Sequence, residues 1–288
     1  MQTPIQLGDA TLAMQPFDNT RDPQYFFASA GHAEAISRLQ FLIEDGNMGM
    51  GMLTGEIGCG KTLTRTVLQN RIARDAYTVV TLENAMLGFD DLLLEIISQV
   101  RRERVYGDKL PDRYSRMSAF KQALMRRVVE ARKHLVILLD EAQQLNPANL
   151  EAVKSLTNIA SERTNFLTII LIGQPELRGQ VKALPQVDQR ISLRYHLNPL
   201  SPVETEGYVK HRFECAGLKG EIPLSEGAIR LLSEFSGGIP REINRIAKLA
   251  LDHAVSNDLA SIEEYTVRLI VDDLIRQGGL DDPAMVVD

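Results

Sequence analysis

Apolar positions along this chain follow two alternating rhythms. Mostly unbroken apolar runs occupy residues 48–54, 77–82, 135–139 and 167–172. Runs this short, closed by turn-forming residues, predict buried strands, and a further short strand is expected at 194–197. Between the runs the apolar spacing lengthens to three and four. Residues 31–44 place Ala35, Leu39 and Leu42 on one side of a helix, and helices are expected over 61–74, 90–104, 115–133, 147–161 and 175–183 as well. Gly107 and Pro111 separate the third and fourth of these. Strands alternating with helices predict an α/β layer built on a parallel sheet.

After Pro199 the strand signal stops. Residues 201–216, 225–236, 240–256 and 262–276 all have helical spacing. A boundary is therefore expected at 198–202, between an α/β core (22–199) and a small all-helical C-terminal domain (200–277). Residues 1–21 read as a loose lead-in. Residues 278–288, with Gly278, Gly279 and Pro283, read as a flexible tail.

Composition narrows the class. A chain of 288 residues, 44% hydrophobic and 24% charged, has ordinary globular character and room for a core domain plus a small one. Its apolar runs fall far short of the roughly 20 residues of a membrane helix, so no transmembrane segment is expected. The N-terminus has no Lys or Arg before Arg21 and no long apolar stretch, so no signal peptide is expected. Cys59 and Cys215 lie far apart with no metal-type spacing, and a reduced cytoplasmic setting is the simplest reading. The net charge of −6 is uneven. Residues 251–288 hold nine Asp and Glu against two Arg, a local −7; residues 101–133 hold eleven Lys and Arg against four acids, a local +7. The overall acidity thus leaves room for an anionic partner. The plain reading of the basic stretch is the wet face of two helices.

The candidate chemistry begins where the first strand ends. Gly55, Glu56, Ile57, Gly58, Cys59, Gly60, Lys61 and Thr62 fit the phosphate-loop pattern G-x-x-x-x-G-K-[ST], with Leu63 next in the following helix. Glycines let backbone N–H groups converge on phosphate, and a helix N-terminus adds its positive dipole end. Lys61 would reach the β- and γ-phosphates of ATP, and the Thr62 hydroxyl would ligate Mg²⁺. Downstream, the run 135–139 delivers Asp140 and Glu141 at a strand's C-terminal end, where ligands bind in open α/β sheets. Asp140 would hold Mg²⁺, and Glu141 could polarise an attacking water. The tandem acid favours ATP hydrolysis over simple binding, and no N-K-x-D motif for guanine is present. Gln174, at the tip of the strand 167–172, could sense the γ-phosphate or orient water. Arg190 and Arg194 flank the last core strand, where either could complete a neighbouring subunit's site as an arginine finger. Arg241, in the first turn of a C-terminal helix, opposes the helix dipole and so suggests an external anion.

Together these residues resemble the AAA+ superfamily. More narrowly, the chain is similar to the ExeA-type ATPases of general secretion pathway protein A, to pilus-biogenesis ATPases of the MSHA type, and to TnsC-type transposition ATPases. The match is carried by Asp22-Pro23-Gln24-Tyr25-Phe26-Phe27 with His32 and Glu34, by Leu53-Thr54-Gly55-Glu56, and by Asp140-Glu141-Ala142-Gln143. It continues in Gly173-Gln174-Pro175-Glu176-Leu177, Gln189-Arg190-Ile191, Arg194-Tyr195-His196-Leu197 and Gly238-Ile239-Pro240-Arg241-Glu242-Ile243-Asn244.

The resemblance implies a five-stranded parallel core of order 5-1-4-3-2 with an all-helical lid. It implies that residues 22–33 line the adenine side, that Arg190 is the finger supplied in trans, and that Arg241 is the lid sensor. The longer secretion ATPases continue into a membrane helix and a peptidoglycan-binding region; a length ending at Asp288 fits the shorter relatives better. The expected function is an ATP- and Mg²⁺-dependent switch that forms a ring or helical oligomer with itself. It would serve protein components of a secretion or type IV pilus-like envelope machine, cytoplasmic or peripheral at the inner membrane through a partner. The alternative is an ATPase that acts with a transposase on duplex DNA.

Overall fold

The computed structural model describes residues 5–8, 10–83, 85–159 and 165–280, which form two compact units. Numbered along the chain, the strands are β1 (Ile5–Leu7), β2 (Ala10–Leu12), β3 (Met50–Gly55), β4 (Tyr77–Leu82), β5 (His134–Leu139), β6 (Leu167–Gly173) and β7 (Ile191–Leu197). The unit made of Ala30–Gly55 and Thr64–Leu197 holds the five-stranded sheet, in the order β4-β5-β6-β3-β7 with every pair parallel. Counted over those five strands from β7, this is the 5-1-4-3-2 arrangement. Strands β3 and β6 are buried at every position, as apolar runs in an interior parallel sheet require. Strand β7 starts three residues earlier than the expected 194–197. Its alternation of buried and exposed positions marks it as an edge strand, and no continuous apolar run announces it.

Helices α1 (Ala30–Asp45), α2 (Lys61–Arg71), α3 (Phe89–Arg101), α4 (Arg113–Leu124), α5 (Pro147–Leu156) and α6 (Glu176–Lys182) follow the expected order, and α7 (Pro185–Asp188) is a short helix that the sequence reading did not include. Helix α2 stops short of residue 74 because the Ala73 carbonyl accepts from Ala76 and Tyr77, a turn that feeds β4. Asp112 opens α4 with a reciprocal capping box to Ser115. The expected helix over 115–133 is not uniform: α4 passes into a π-turn, Met125–Val129, and the chain reverses at Arg132 with φ 54°. The expected end of α5, at residue 161, lies outside the described residues, as do residues 281–288 of the tail.

The other unit groups Met1–Ser29, Glu56–Leu63 and Asn198–Asp288. It contains α8 (Pro202–Cys215), α9 (Glu226–Ser236), α10 (Pro240–Ser256) and α11 (Glu264–Arg276), with no strand among the described residues after Pro199. Residues 1–21 correct the expectation of a loose lead-in. Strands β1 and β2 pair as an antiparallel hairpin, and Leu7, Leu12 and Phe17 are each at most 1% exposed within the helical core. Phe17 meets Phe213 of α8 edge-on, with ring centroids 5.1 Å apart. The buried Arg212 guanidinium donates to the Pro16 and Asp18 carbonyls and stacks 4.6 Å over the Tyr25 ring. A cation so placed exchanges water for carbonyl oxygens and a π-face, which clamps the N-terminal segment to α8.

Candidate functional site

The phosphate-loop residues adopt a strained turn that glycine permits. Gly58 and Gly60 have φ of 88° and 93°, a left-handed region closed to most side chains. Lys61 is buried, and its ammonium folds back to donate to the Glu56 carbonyl at 2.8 Å; the Cys59 N–H donates to the same oxygen at 3.2 Å. The cation therefore lies over the loop's own backbone, where phosphate oxygens would take its donors. Burial pushes the Cys59 thiol up, against a smaller opposing effect of Lys61, so this cysteine stays protonated.

The start of α10 meets this turn. Arg241 N donates to the Gly58 carbonyl at 3.3 Å, and a Cβ on Gly58 would fall 2.6 Å from Arg241 Cβ and 3.1 Å from Ile239 Cγ2. The approach is set by Gly237 and Gly238, both at positive φ; any side chain on Gly238 would collide with the Leu200 carbonyl. The segment 237–241 is thus tied to the phosphate loop through backbone, with the Arg241 side chain projecting from the first turn of α10.

In the sheet unit, β5 ends in the two acids. Asp140 is buried, and its N–H donates to the Leu82 carbonyl at 2.9 Å. Arg65, on α2, places its Nε 3.4 Å from Asp140 Oδ2 and its Nη2 2.8 Å from Glu83 Oε1. Its buried Nε and Nη1 have no hydrogen-bond acceptor among the described residues. Glu141 takes a left-handed φ of 53°, uncommon for a non-glycine residue and of a kind that clusters at functional positions. Its carboxylate Oε2 accepts from Gln143 Nε2 at 2.7 Å, while Gln143 Oε1 accepts from Gln174 N at 3.1 Å. Gln174 directly follows β6. The structure thus joins Glu141 and Gln174 through Gln143, a residue quoted above for resemblance but given no role there.

The Arg190 side chain is exposed and donates to Asn158 Oδ1 at 3.2 Å. Arg194 is held within its own chain, donating to both the carbonyl and the carboxylate of Asp188 at 2.7 and 2.8 Å. Thr54, at the end of β3, bonds His196 Nδ1 of β7 at 3.0 Å, which fixes the strand that leads into the loop. Within 22–33, Asp22 caps the short turn Pro23–Tyr25, and Phe27 packs on Tyr208 and His211 of α8 with ring centroids 5.9 Å away in each case.

The residues fit a nucleotide and a hard cation. A Mg²⁺ ion carried by phosphates needs only one or two protein oxygens, and the buried Asp140 carboxylate is a donor of that kind. The described residues contain no group of three or more His, Cys, Asp or Glu that could hold a metal alone.

Residues 44–181 match the family model described as the AAA domain. The chain carries an AAA domain. It is 35% identical to general secretion pathway protein A of Aeromonas hydrophila, across 93% of this chain and 50% of that protein. It is also 22% identical to replication factor C subunit 4 of Saccharomyces cerevisiae, across 96% of this chain and 77% of that one. The chain therefore spans only half the length of the secretion relative. Among solved structures, the Aeropyrum pernix ORC2 protein superposes with a TM-score of 0.68 at 20% identity, covering 90% of this chain and 71% of that one. The RuvB Holliday junction branch migration motor of Thermotoga maritima gives 0.56 at 18%, covering 89% and 73%. At these identities the structural likeness speaks for the AAA+ fold alone.

Proposed function

We propose that this AAA-domain chain is an ATP- and Mg²⁺-dependent ATPase that works as an oligomeric switch or assembly factor for a secretion or type IV pilus-like envelope machine. The observation that carries the ATPase reading is the tip of β5, where a buried Asp140 is followed by a Glu141 carboxylate held in a defined orientation. In this reading Lys61 leaves the Glu56 carbonyl for the β- and γ-phosphates, and the loop from Gly55 to Leu63 wraps them. Thr62 and Asp140 would hold Mg²⁺, which when bound neutralises charge on the phosphate oxygens. Glu141 takes a proton as a water oxygen bonds to the γ-phosphorus; the bond from that phosphorus to the bridging oxygen breaks, leaving ADP and phosphate. Gln174 orients the water or the γ-phosphate, Arg190 acts in trans, and Arg241 contacts the γ-phosphate. The process rests on the 35% identity to a general secretion pathway protein over most of this chain. No helix among the described residues is long and apolar enough to cross a membrane. A cytoplasmic location, peripheral at the inner membrane through a partner, is part of the proposal.

Calorimetry with ATP and Mg²⁺ tests the binding half directly. Lys61→Ala is expected to abolish detectable ATP binding, because the loop loses its main point charge. Unchanged affinity would sink the phosphate-loop assignment.

A second reading, a DNA-associated ATPase serving a transposase, is favoured by one observation. Arg126 and Arg127 are exposed and line, with Arg101, Glu103 and Glu130, a groove of ≈ 560 Å³. Other cations of the stretch 101–133 are already engaged: Arg113 with Asp90 at 3.0 Å, Arg116 with Asp91 at 3.7 Å, and Lys133 with the Arg74 carbonyl at 2.7 Å. That engagement favours the envelope reading. ATP-dependent submicromolar duplex binding, lost on reversing Arg126 and Arg127 to Glu, would promote the second one.

A further inference from the structure

Gln143 sits one residue beyond the Asp140-Glu141-Ala142 run, in the short 3₁₀ turn Ala142–Gln144. Both ends of its side-chain amide are engaged. The Nε2 group donates to Glu141 Oε2 at 2.7 Å, and Oε1 accepts from the Gln174 N–H at 3.1 Å. Chemistry forces this orientation, since an ionised carboxylate can only accept and a backbone N–H can only donate. The Gln143 carbonyl is pinned as well, accepting from Gln180 Nε2 of α6 at 2.9 Å. The space for the amide exists because residue 173 is glycine: a Cβ there would lie 2.6 Å from Gln143 Oε1.

We infer that Gln143 is a positioning residue that couples the tip of β6 to the Glu141 carboxylate. The inference rests on the ATPase reading given above. It deepens that reading by naming what aims the carboxylate and what it is linked to. Glu141 stands at a left-handed φ with a flexible side chain, so its backbone alone does not define where its oxygens point. The Gln143 amide binds one carboxylate oxygen, Oε2, which leaves Oε1 to receive the proton of the attacking water. The same amide is anchored to the N–H of Gln174, so a shift of the β6 tip is transmitted to the carboxylate through two hydrogen bonds. Gln143 touches neither nucleotide nor water in this scheme, and its effect falls on turnover rather than on affinity.

Two substitutions in the full chain separate the two bonds. Gln143→Leu removes both; Gln143→Glu keeps an acceptor for Gln174 N–H but opposes Glu141 with a like charge. Phosphate release gives kcat and KM, calorimetry gives ATP affinity, and amide hydrogen exchange reads Gln174 without nucleotide. Both variants are expected to lose about 10- to 100-fold in kcat, the scale of a small misplacement of a reacting group, with KM and affinity within about threefold of the starting protein. The Gln174 amide should exchange fast in Gln143→Leu and stay protected in Gln143→Glu. Two results would overturn the inference: kcat preserved in both variants, or faster exchange spread along all of β6 with affinity lost, which would mark a merely structural residue. If the unsubstituted chain binds ATP but shows no turnover, the ATPase reading itself falls. The exchange measurement, which needs no nucleotide, still reports on the Gln143–Gln174 bond separately.

Discussion

Arg65 concentrates the electrostatics of the β5 tip in one side chain. It lies one helical turn beyond Lys61, and its side chain is 4% exposed beside an Asp140 side chain that is 6% exposed. Removing one partner of a buried pair leaves the other's charge without its compensation, which costs more than the pair's net worth. Arg65→Leu should therefore destabilise the sheet unit by about 3–5 kcal/mol in urea unfolding, with Arg65→Lys in between. An unchanged midpoint would show that Asp140 does not depend on this guanidinium. Neither Arg65 nor Gln143 was legible as functional in the sequence. The loop residues from Gly55 to Thr62 and the pair Asp140-Glu141 were, because their chemistry is contiguous in the chain. Arg65 reads there as one more polar position on a helix, and the bond from Gln143 reaches across 31 residues to Gln174. Arg190 and Arg194 were indistinguishable by type and spacing; in the structure Arg194 donates to Asp188 and Arg190 to Asn158.

At the scale of elements, the interior strands and the lid helices were the most legible, since continuous apolar runs and three-to-four spacing survive in any single sequence. The N-terminal hairpin was not. Its strands are three residues each, IQL and ATL, too short for alternation to stand out, and their burial depends on helices some 200 residues downstream. The π-turn Met125–Val129 was hidden for a related reason: a one-residue widening of a helix leaves the apolar spacing nearly unchanged. The hairpin carries an energetic consequence. Phe17 is 1% exposed and packs on Phe213, so Phe17→Ala should cost about 3–5 kcal/mol, the range for truncating a buried aromatic side chain. Differential scanning calorimetry would show it as a drop in the helical unit's transition. A loss below about 0.5 kcal/mol, typical of surface positions, would return residues 1–21 to a loose lead-in.

At the scale of the whole molecule, the proposed ATP-dependent switch has a site that a second copy completes. Arg190→Ala chains should bind ATP yet hydrolyse it poorly. Mixing them with Lys61→Ala chains should restore part of the activity, because an intact loop then meets an intact arginine at some interfaces. Mixed oligomers with no recovery would count against a finger given by a neighbour. The fold class, the core topology and the AAA kinship were legible in the sequence. The client complex was not, because surface residues that recognise a partner follow no fixed spacing in the chain. The central claim remains that Glu141 drives ATP hydrolysis in this chain. The measurement that tests it most directly compares ATP binding and phosphate release for the unsubstituted chain and for Glu141→Gln. The amide cannot take the proton from water, so the variant should bind ATP within about threefold of the original while turnover falls by about 100-fold or more. Phosphate release at the original rate in Glu141→Gln would contradict the account.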